Sequence, residues 1–336
     1  MVRVGPTDSG DDPGQPRYEP PALHAIWRLW RACPTDVRRV LQRTGIPYVV
    51  GFVARYRRAH ALANFAGSLL EVKADYPSAP AERRAALSAR FDAIVDRLVM
   101  PNGVTKTTYF RRQEEVLAKV LAHEECALSR GAVRVLDVPS SAGTGSLRSY
   151  AMIRERYPIA SYVLGDLCFE IVYDPRRGCV FDEQGNLLQV VSRKGFFAVY
   201  RAHTAGDVYT WVTRFLLLPL DLYAAYLKER YPYGESEEHV RIRVVHPEVE
   251  ALVSDGVLRL AKMDVFDGID GTYDLILSFN LLQRNYFPPE RIALGVQNLG
   301  RALEENGLLV IGDTESFVAL RKRAGQLVPV VREGAF

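Results

Sequence analysis

Short apolar runs alternate with helical stretches over the C-terminal two thirds of the chain. Five runs read as buried strands, namely Val133–Val138, Ser161–Asp166, Val257–Met263, Tyr273–Phe279 and Leu308–Gly312. Gly145–Tyr157 and Pro288–Glu304 read as helices between them. Because alternating strands and helices are typical of parallel α/β units, this pattern predicts a doubly wound, mostly parallel sheet of Rossmann-like type.

Two further apolar segments close the chain. Phe317–Lys322 and Leu327–Arg332 are strand-like, and the turn-forming pair Ala324-Gly325 lies between them. A short turn of this kind joins neighbouring antiparallel strands. The chain therefore predicts a terminal antiparallel hairpin, which brings the α/β sheet to seven strands.

The N-terminal part of the chain has a different pattern. Residues 1–20 combine Gly, Pro, Asp and Ser with few apolar side chains, which predicts a disordered tail. Residues 21–104 read as a helical region, with helices at Ile46–Tyr76 and Ala81–Met100 separated by two prolines. We therefore expect a helical N-terminal region ahead of a larger domain at residues 105–336.

Residues 169–234 are an insertion that a minimal fold of this kind does not need. Val180–Asp182, Leu187–Ser192 and Phe196–Tyr200 read as a small antiparallel meander, and Val208–Tyr231 reads as a helix. Insertions after an early strand commonly cover an acceptor site. A purely structural flap is an equally good interpretation of this one.

Composition and charge exclude several classes of protein. The 43 basic and 40 acidic residues give a net charge of +3, which provides no general attraction for nucleic acid or membranes. No apolar run is long enough to cross a bilayer, and the acidic, Pro-rich N-terminus does not resemble a signal peptide. The four cysteines and six histidines lack metal-ligand spacing, so we expect a cytoplasmic protein with free thiols and no metal.

The loop after the first predicted strand is the first candidate site. That strand ends in Asp137, and the loop contains Pro139, Ser140 and Gly143 before a helix that begins near Gly145. Small side chains let the backbone approach a ligand closely, and the free amides of a helix start can face a carboxylate or phosphate. A plain tight turn is the alternative interpretation of the two glycines.

Polar residues also follow three later strands, where open α/β sheets place their ligands. Asp166 lies about twenty residues after the loop, the separation expected of an acid that accepts hydrogen bonds from ribose hydroxyls. Asp264, with its neighbour Val265, lies where an adenine amine would be met, and Asn280 is placed to orient substrate or loop backbone. A solvated acid at Asp166 and a turn-capping role for Asp264 remain open alternatives.

Four segments resemble one family of enzymes. Thr107–Arg111 resembles the Thr-x-Phe-Phe-Arg segment of the chemotaxis-receptor glutamate methyltransferases, and Pro139–Gly143 is similar to their Pro-Cys-Ser-x-Gly loop. Asp274–Phe287 and Leu303–Ser316 are similar to their closing strands, and all four segments follow the family's order. The terminal hairpin also resembles class I methyltransferases, in which such a hairpin closes the sheet.

The resemblance implies a class I methyltransferase fold with S-adenosyl-L-methionine (SAM) as its cofactor. It places Arg111 and Tyr286 nearest the transferred methyl group, as the candidate catalytic residues. The residues that it implies for the rest of the cofactor cleft are Gly143, Asp166, Asp264 and Asn280. The chain departs from the family at Phe279, where the family has arginine, and in the insertion, so the receptor glutamate is not carried over as the substrate.

The sequence thus predicts a SAM-dependent methyltransferase that acts on an oxygen or nitrogen nucleophile of a small molecule or protein. Nucleic acid and membranes are not expected partners, and the sequence leaves the oligomeric state open. A noncatalytic SAM-binding module with the same fold is an open alternative, because fold alone does not establish chemistry. A nicotinamide-dependent enzyme is a weaker alternative, because the glycine spacing differs and the chain ends in a hairpin.

Overall fold

The structure is a computed structural model that describes residues 65–95, 98, 106, 110–128, 131–190, 222, 225–234, 239–283, 287–313 and 316–334. The predicted disordered tail, residues 1–20, lies outside the described residues, as do residues 46–64 of the first predicted helix. The strand expected at Phe196–Tyr200 also lies outside them. Of the helix expected at Val208–Tyr231, residues 222 and 225–230 are described and helical.

The described residues form helices and strands in the following order along the chain. The helices are α1 (Phe65–Asp75), α2 (Ala81–Val95), α3 (Phe110–Ala122), α4 (Thr144–Arg154), α5 (Pro247–Ser254) and α6 (Pro289–Ala302). The strands are β1 (Val133–Asp137), β2 (Ile159–Asp166), β3 (Glu170–Asp174), β4 (Cys179–Phe181), β5 (Leu187–Val190), β6 (Val240–Arg243), β7 (Arg259–Lys262), β8 (Tyr273–Phe279), β9 (Leu303–Gly312), β10 (Phe317–Arg323) and β11 (Gln326–Glu333). No described helix is long and apolar enough to span a membrane.

The larger sheet has seven strands in the order β11-β10-β9-β8-β1-β2-β7. Strands β7, β2, β1, β8 and β9 are parallel, and β10 pairs antiparallel with both β9 and β11. The chain leaves β1 toward β2 and β7 and then returns to β8 on the other side of β1. This order confirms the predicted mostly parallel, doubly wound sheet with a terminal antiparallel hairpin.

Both faces of the central strands β1, β8 and β9 are buried over most of their length, which explains why these strands read as continuous apolar runs. On β8, Leu275 and Leu277 belong to one core cluster, together with side chains of α3, α4 and α5. Ile276 faces the opposite cluster, which contains Leu299 of α6. Helices therefore cover both sides of the sheet, as the α/β pattern predicts.

Element boundaries differ from the predictions at one instructive place. The helix predicted at Pro288–Glu304 ends at Ala302, and β9 begins at Leu303, five residues before the predicted strand start. Leu303 already pairs with Tyr273 of β8, and a register shift separates this pair from the regular ladder. Strand pairing therefore ends the helix early, which local pattern does not reveal.

A second, four-stranded antiparallel sheet has the order β5-β4-β3-β6. The strands predicted at Val180–Asp182 and Leu187–Ser192 are present as β4 and β5. β3 and β6 were not assigned to this sheet from the sequence. Helices α1 and α2 pack on one face of it, where Leu69 and Phe91 share a cluster with Ile171 and Ile242.

Candidate functional site

The carboxyl ends of β1, β2, β7 and β8 lie side by side at one edge of the larger sheet. The strand order reverses between β1 and β8, and open α/β sheets bind ligands at such a reversal point. Backbone hydrogen bonds connect these strand ends. The Ser140 amide donates to the Gly165 carbonyl over 2.8 Å, and the Met263 amide donates to the Asp166 carbonyl over 3.0 Å. The structure thus brings together the strand ends that carry Asp137, Asp166, Asp264 and Asn280.

Gly143 ends the loop between β1 and α4 in a left-handed conformation, with φ of 87°. A Cβ atom at this position would lie 2.8 Å from Val249 Cγ2 and 3.3 Å from a Leu164 methyl group. The backbone conformation and the packing each require glycine here. The identity of Gly143 is therefore explained by the turn, and a ligand would meet its backbone only.

Ser140, in the same loop, is the feature that most directly points to a ligand. The whole of Ser140 is 3% exposed, and its hydroxyl has no hydrogen-bond partner among the described residues. A buried hydroxyl without a partner costs about 1–3 kcal/mol, which a polar ligand atom would offset. Gly143 is the N-cap residue of α4 and has no side chain that could bond to the amides of the first turn, in which the buried Gly145 lies. The loop therefore fits a polar ligand.

Asp137, the last residue of β1, is almost completely buried, with 2% exposure. Tyr162 Oη donates a hydrogen bond to its carboxylate over 3.2 Å. Burial raises the pKa of Asp137 to about 6, although hydrogen bonds from its neighbours act in the opposite direction. This predicted cofactor residue directly precedes the loop, and its carboxylate is buried against Tyr162 of β2.

Asp166, at the end of β2, is held by three hydrogen-bond donors. The Ser141 amide donates to Oδ2 over 2.8 Å, and the Cys168 amide donates to Oδ1 over 3.2 Å. Lys106 Nζ forms an ion pair with Oδ1 at 3.3 Å, and its side chain is 3% exposed. A carboxylate offers about four lone-pair positions, so about one remains for a ligand. These contacts contradict the alternative that Asp166 is a solvated acid.

Asp264 and Val265 follow β7 and have different roles in their loop. Asp264 Oδ1 accepts a hydrogen bond from the Phe266 amide over 2.9 Å, which is the turn-capping contact. Val265 is buried, and its carbonyl accepts a hydrogen bond from Asn298 Nδ2 over 2.9 Å. Asn298 of α6 thereby fixes the loop that was predicted to meet adenine.

Asn280 directly follows β8 in a left-handed conformation, with φ of 58°. Its amide donates to the Gly312 carbonyl over 2.7 Å, and its own carbonyl accepts from Gln283 Nε2 over 3.1 Å. Its neighbour Phe279 is buried over Gly312, where a Cβ atom would lie 2.9 Å from the ring. Phe279 is therefore a core residue.

The two candidate catalytic side chains cannot be placed in this way. Arg111 lies in α3, but its side chain is outside the described residues, and Tyr286 lies outside them altogether. Both therefore stay predictions. Pro139, which follows a cis peptide bond, is half-buried in the loop. Over the described ranges, no group of three or more His, Cys, Asp or Glu residues is arranged to hold a metal ion.

Two residues of this region were missed by the sequence analysis. Lys106 contacts the loop after β1 and Asp166, and the only signal for it is its position beside the Thr107–Arg111 segment. Met263 lies across the end of β2, where its sulfur would be 2.6 Å from a Cβ atom at Gly165. A glycine as the next-to-last residue of a buried strand was the available signal for this close approach.

Comparisons with known proteins give only distant likenesses. No protein-family model matches the chain, and no curated protein matches it. The chain is 12% identical to the solved N-methyltransferase NodS from Bradyrhizobium japonicum WM9 in complex with S-adenosyl-L-homocysteine, with a TM-score of 0.27 over 61% of this chain and 62% of that one. An S-adenosylmethionine-dependent methyltransferase from Clostridium acetobutylicum ATCC 824 is 13% identical, with a TM-score of 0.31 over 74% and 76% of the two chains.

An O-methyltransferase family protein from Burkholderia thailandensis is 12% identical, with a TM-score of 0.31 over 67% of this chain and 41% of that one. The chain thus spans less than two thirds of the length of NodS and of the Burkholderia protein. The fold assignment rests on the strand order, and the site rests on the contacts described above.

Proposed function

We propose that the chain is a SAM-dependent methyltransferase whose cofactor binds at the carboxyl ends of β1, β2 and β7. The observation that carries this proposal is the buried Ser140 hydroxyl, which has no hydrogen-bond partner among the described residues. It lies in a loop that is hydrogen-bonded to the end of β2, next to Asp166. A nucleoside with an amino-acid tail suits this arrangement, because it presents hydroxyls to a carboxylate and polar atoms to a loop. The resemblance to chemotaxis-receptor glutamate methyltransferases supports SAM as that ligand.

Each strand end has a defined task in this proposal. Asp166 accepts a hydrogen bond from the ribose, and the loop with Ser140 binds the methionine end of the cofactor. The loop at Asp264 and Val265 borders the adenine, with its backbone fixed by Asn298. Leu167 supports this arrangement, because it is 50% exposed between Asp166 and Cys168 and offers apolar surface to a nucleoside.

When bound, SAM supplies an electrophilic methyl group on a sulfonium, and the electrons of the broken carbon–sulfur bond return to sulfur. The protein's part is mainly to align the acceptor nucleophile with that bond, since positioning can supply much of the rate enhancement. Asn280 is placed at the end of β8 to orient an acceptor or its loop, and its left-handed backbone is fixed by Gly312. Arg111 and Tyr286 are proposed beside the methyl group.

The acceptor is proposed to be an oxygen or nitrogen nucleophile of a small molecule or protein side chain. Such a nucleophile loses its proton to solvent, so the proposal requires no dedicated base. The four-stranded sheet with α1 and α2 is a candidate wall of the acceptor site, because Ala142 of the loop and Cys168 after β2 pack in the same cluster as these elements.

Two measurements test the proposal. Calorimetric titration with SAM and S-adenosyl-L-homocysteine should give saturable binding, and Ser140→Ala should weaken both ligands. Incubation with methyl-labelled SAM and fractionated cell extract should transfer label to a small-molecule or protein fraction. Folded protein that binds neither ligand refutes the proposal. Binding without any transfer points to the noncatalytic SAM-binding module instead.

A further inference from the structure

Lys106 is a buried cation that nothing in the sequence analysis assigned to the site. The whole residue is 5% exposed, and its ammonium lies 5.5 Å from the centre of the Phe169 ring. Removing an ammonium from water is costly unless charged or polar partners compensate. Its partners are the Asp166 carboxylate and the Ser141 carbonyl, each at 3.3 Å from Nζ. The compensation therefore comes from the candidate cofactor site itself.

The backbone of Lys106 is attached to the same loop as its side chain. Ser141 Oγ donates to the Lys106 carbonyl over 2.7 Å, and the Lys106 amide donates to the Leu98 carbonyl over 3.2 Å. Ser141 has φ of 56°, a conformation that is unfavourable for a residue with a side chain. Its amide, carbonyl and hydroxyl are all bound, to Asp166 or to Lys106. This ring of contacts holds an otherwise strained turn.

Asp166 is oriented by the same contacts. One oxygen receives the Ser141 amide, and the other receives Lys106 Nζ and the Cys168 amide. A carboxylate fixed on both oxygens presents its remaining lone pair in one direction. A ligand hydroxyl then binds without the cost of ordering the carboxylate first, which is the benefit of preorganisation.

We propose that Lys106 is a positioning residue that makes Asp166 competent to bind the cofactor ribose. The inference rests on the proposed function, because it concerns the ribose of the same cofactor. Lys106 acts through Asp166 and Ser141, and its loss removes the affinity contributed by the ribose hydroxyls while leaving the rest of the nucleoside site in place.

The test is a cycle over protein and ligand, with dissociation constants measured by calorimetry. The ligands are S-adenosyl-L-homocysteine and its 2′,3′-dideoxy analogue, and the proteins are wild type, Lys106→Met, Lys106→Arg and Lys119→Met. Lys119 is the matched control, because it forms an exposed ion pair with Glu333 at 2.5 Å, away from the loop. Thermal unfolding of each variant establishes that it is folded.

In the wild type, loss of the hydroxyls should weaken binding by about tenfold or more, as expected of a hydrogen bond to a charged group. Lys106→Met should weaken the natural ligand to a similar extent but should leave the dideoxy analogue within about threefold. Lys106→Arg keeps the charge and should keep the preference for ribose. Lys119→Met should bind both ligands as the wild type does.

A merely structural role for Lys106 would weaken both ligands equally in Lys106→Met, and that result overturns the inference while the proposed function stands. Unchanged binding in Lys106→Met overturns it as well. If Lys106→Met does not fold, Lys106→Gln replaces it, because glutamine keeps a polar donor near the Ser141 carbonyl but carries no charge. Equal weakening of both ligands in Lys106→Gln, or unchanged binding of both, then overturns the inference. If folded wild-type protein binds neither ligand, that result refutes the proposed function and this inference together.

Discussion

Replacing Asp137 with asparagine should stabilise the protein at alkaline pH. The carboxyl is buried at the end of β1, and burial raises its pKa from the ordinary 3.8 to about 6. Its folded-state pKa is therefore above the unfolded one, so its contribution to stability is full below pH 3.8 and is lost as the pH rises through about 6. The complete loss corresponds to about 3 kcal/mol, of which about 1.4 kcal/mol falls between pH 5 and pH 8.

Asparagine is neutral at every pH, and its carbonyl oxygen can still accept the hydrogen bond from Tyr162. Urea unfolding followed by circular dichroism gives the free energy of unfolding of both proteins at each pH. The advantage of Asp137→Asn over the wild type should grow by about 1.4 kcal/mol from pH 5 to pH 8. Asp255→Asn, an equally conservative change at an exposed position, is the control. A difference between Asp137→Asn and wild type that does not change with pH would refute the reasoning.

Two further predictions concern the packing of the larger sheet. Arg321→Met should lower the free energy of unfolding by about 3 kcal/mol, because the buried guanidinium donates to three backbone carbonyls that would lose their donor. Arg323→Met, at an exposed position of the same strand, should change it by less than about 0.5 kcal/mol in the same urea titration. Gly312→Ala should cost about 1–3 kcal/mol, because its Cβ would lie 2.9 Å from the Phe279 ring. Gly131→Ala is its control, because no described residue outside the adjacent chain lies within 4 Å of a Cβ atom there, and equal melting temperatures for the two alanine variants would contradict the steric argument.

The sheet was predictable because its signals are local and strong. Continuous apolar runs identified Tyr273–Phe279 with its observed bounds, and the pair Ala324-Gly325 identified the hairpin turn. Helix ends were less predictable. Ala302 ends α6 because Leu303 pairs with β8. The local pattern of apolar residues carries no information about a partner residue thirty positions earlier in the chain.

The four-stranded sheet shows the same division between local and distant information. β4 and β5 form a hairpin whose turn is stabilised by Asp182, which accepts hydrogen bonds from the amides of Gln184 and Asn186. That turn was visible in the sequence. β3 pairs with β4 on one side and with β6 on the other, and the residues of β6 lie more than sixty positions later in the chain. Pairing between such distant strands depends on the assembled core, so sequence reasoning gave β6 no place in this sheet.

For the candidate site, the sequence by itself determined which strand ends carry polar groups. Asp137, Asp166 and Asp264 each lie at or just after the end of an apolar run, because a polar side chain ends such a run. Only the tertiary structure decided what each one does. Asp137 is buried and accepts a hydrogen bond from Tyr162, and Asp264 accepts one from the Phe266 amide within its own turn. Asp166 forms an ion pair with Lys106. The physical reason is that burial and hydrogen-bond partners come from other elements, and these set the charge and orientation of a carboxylate.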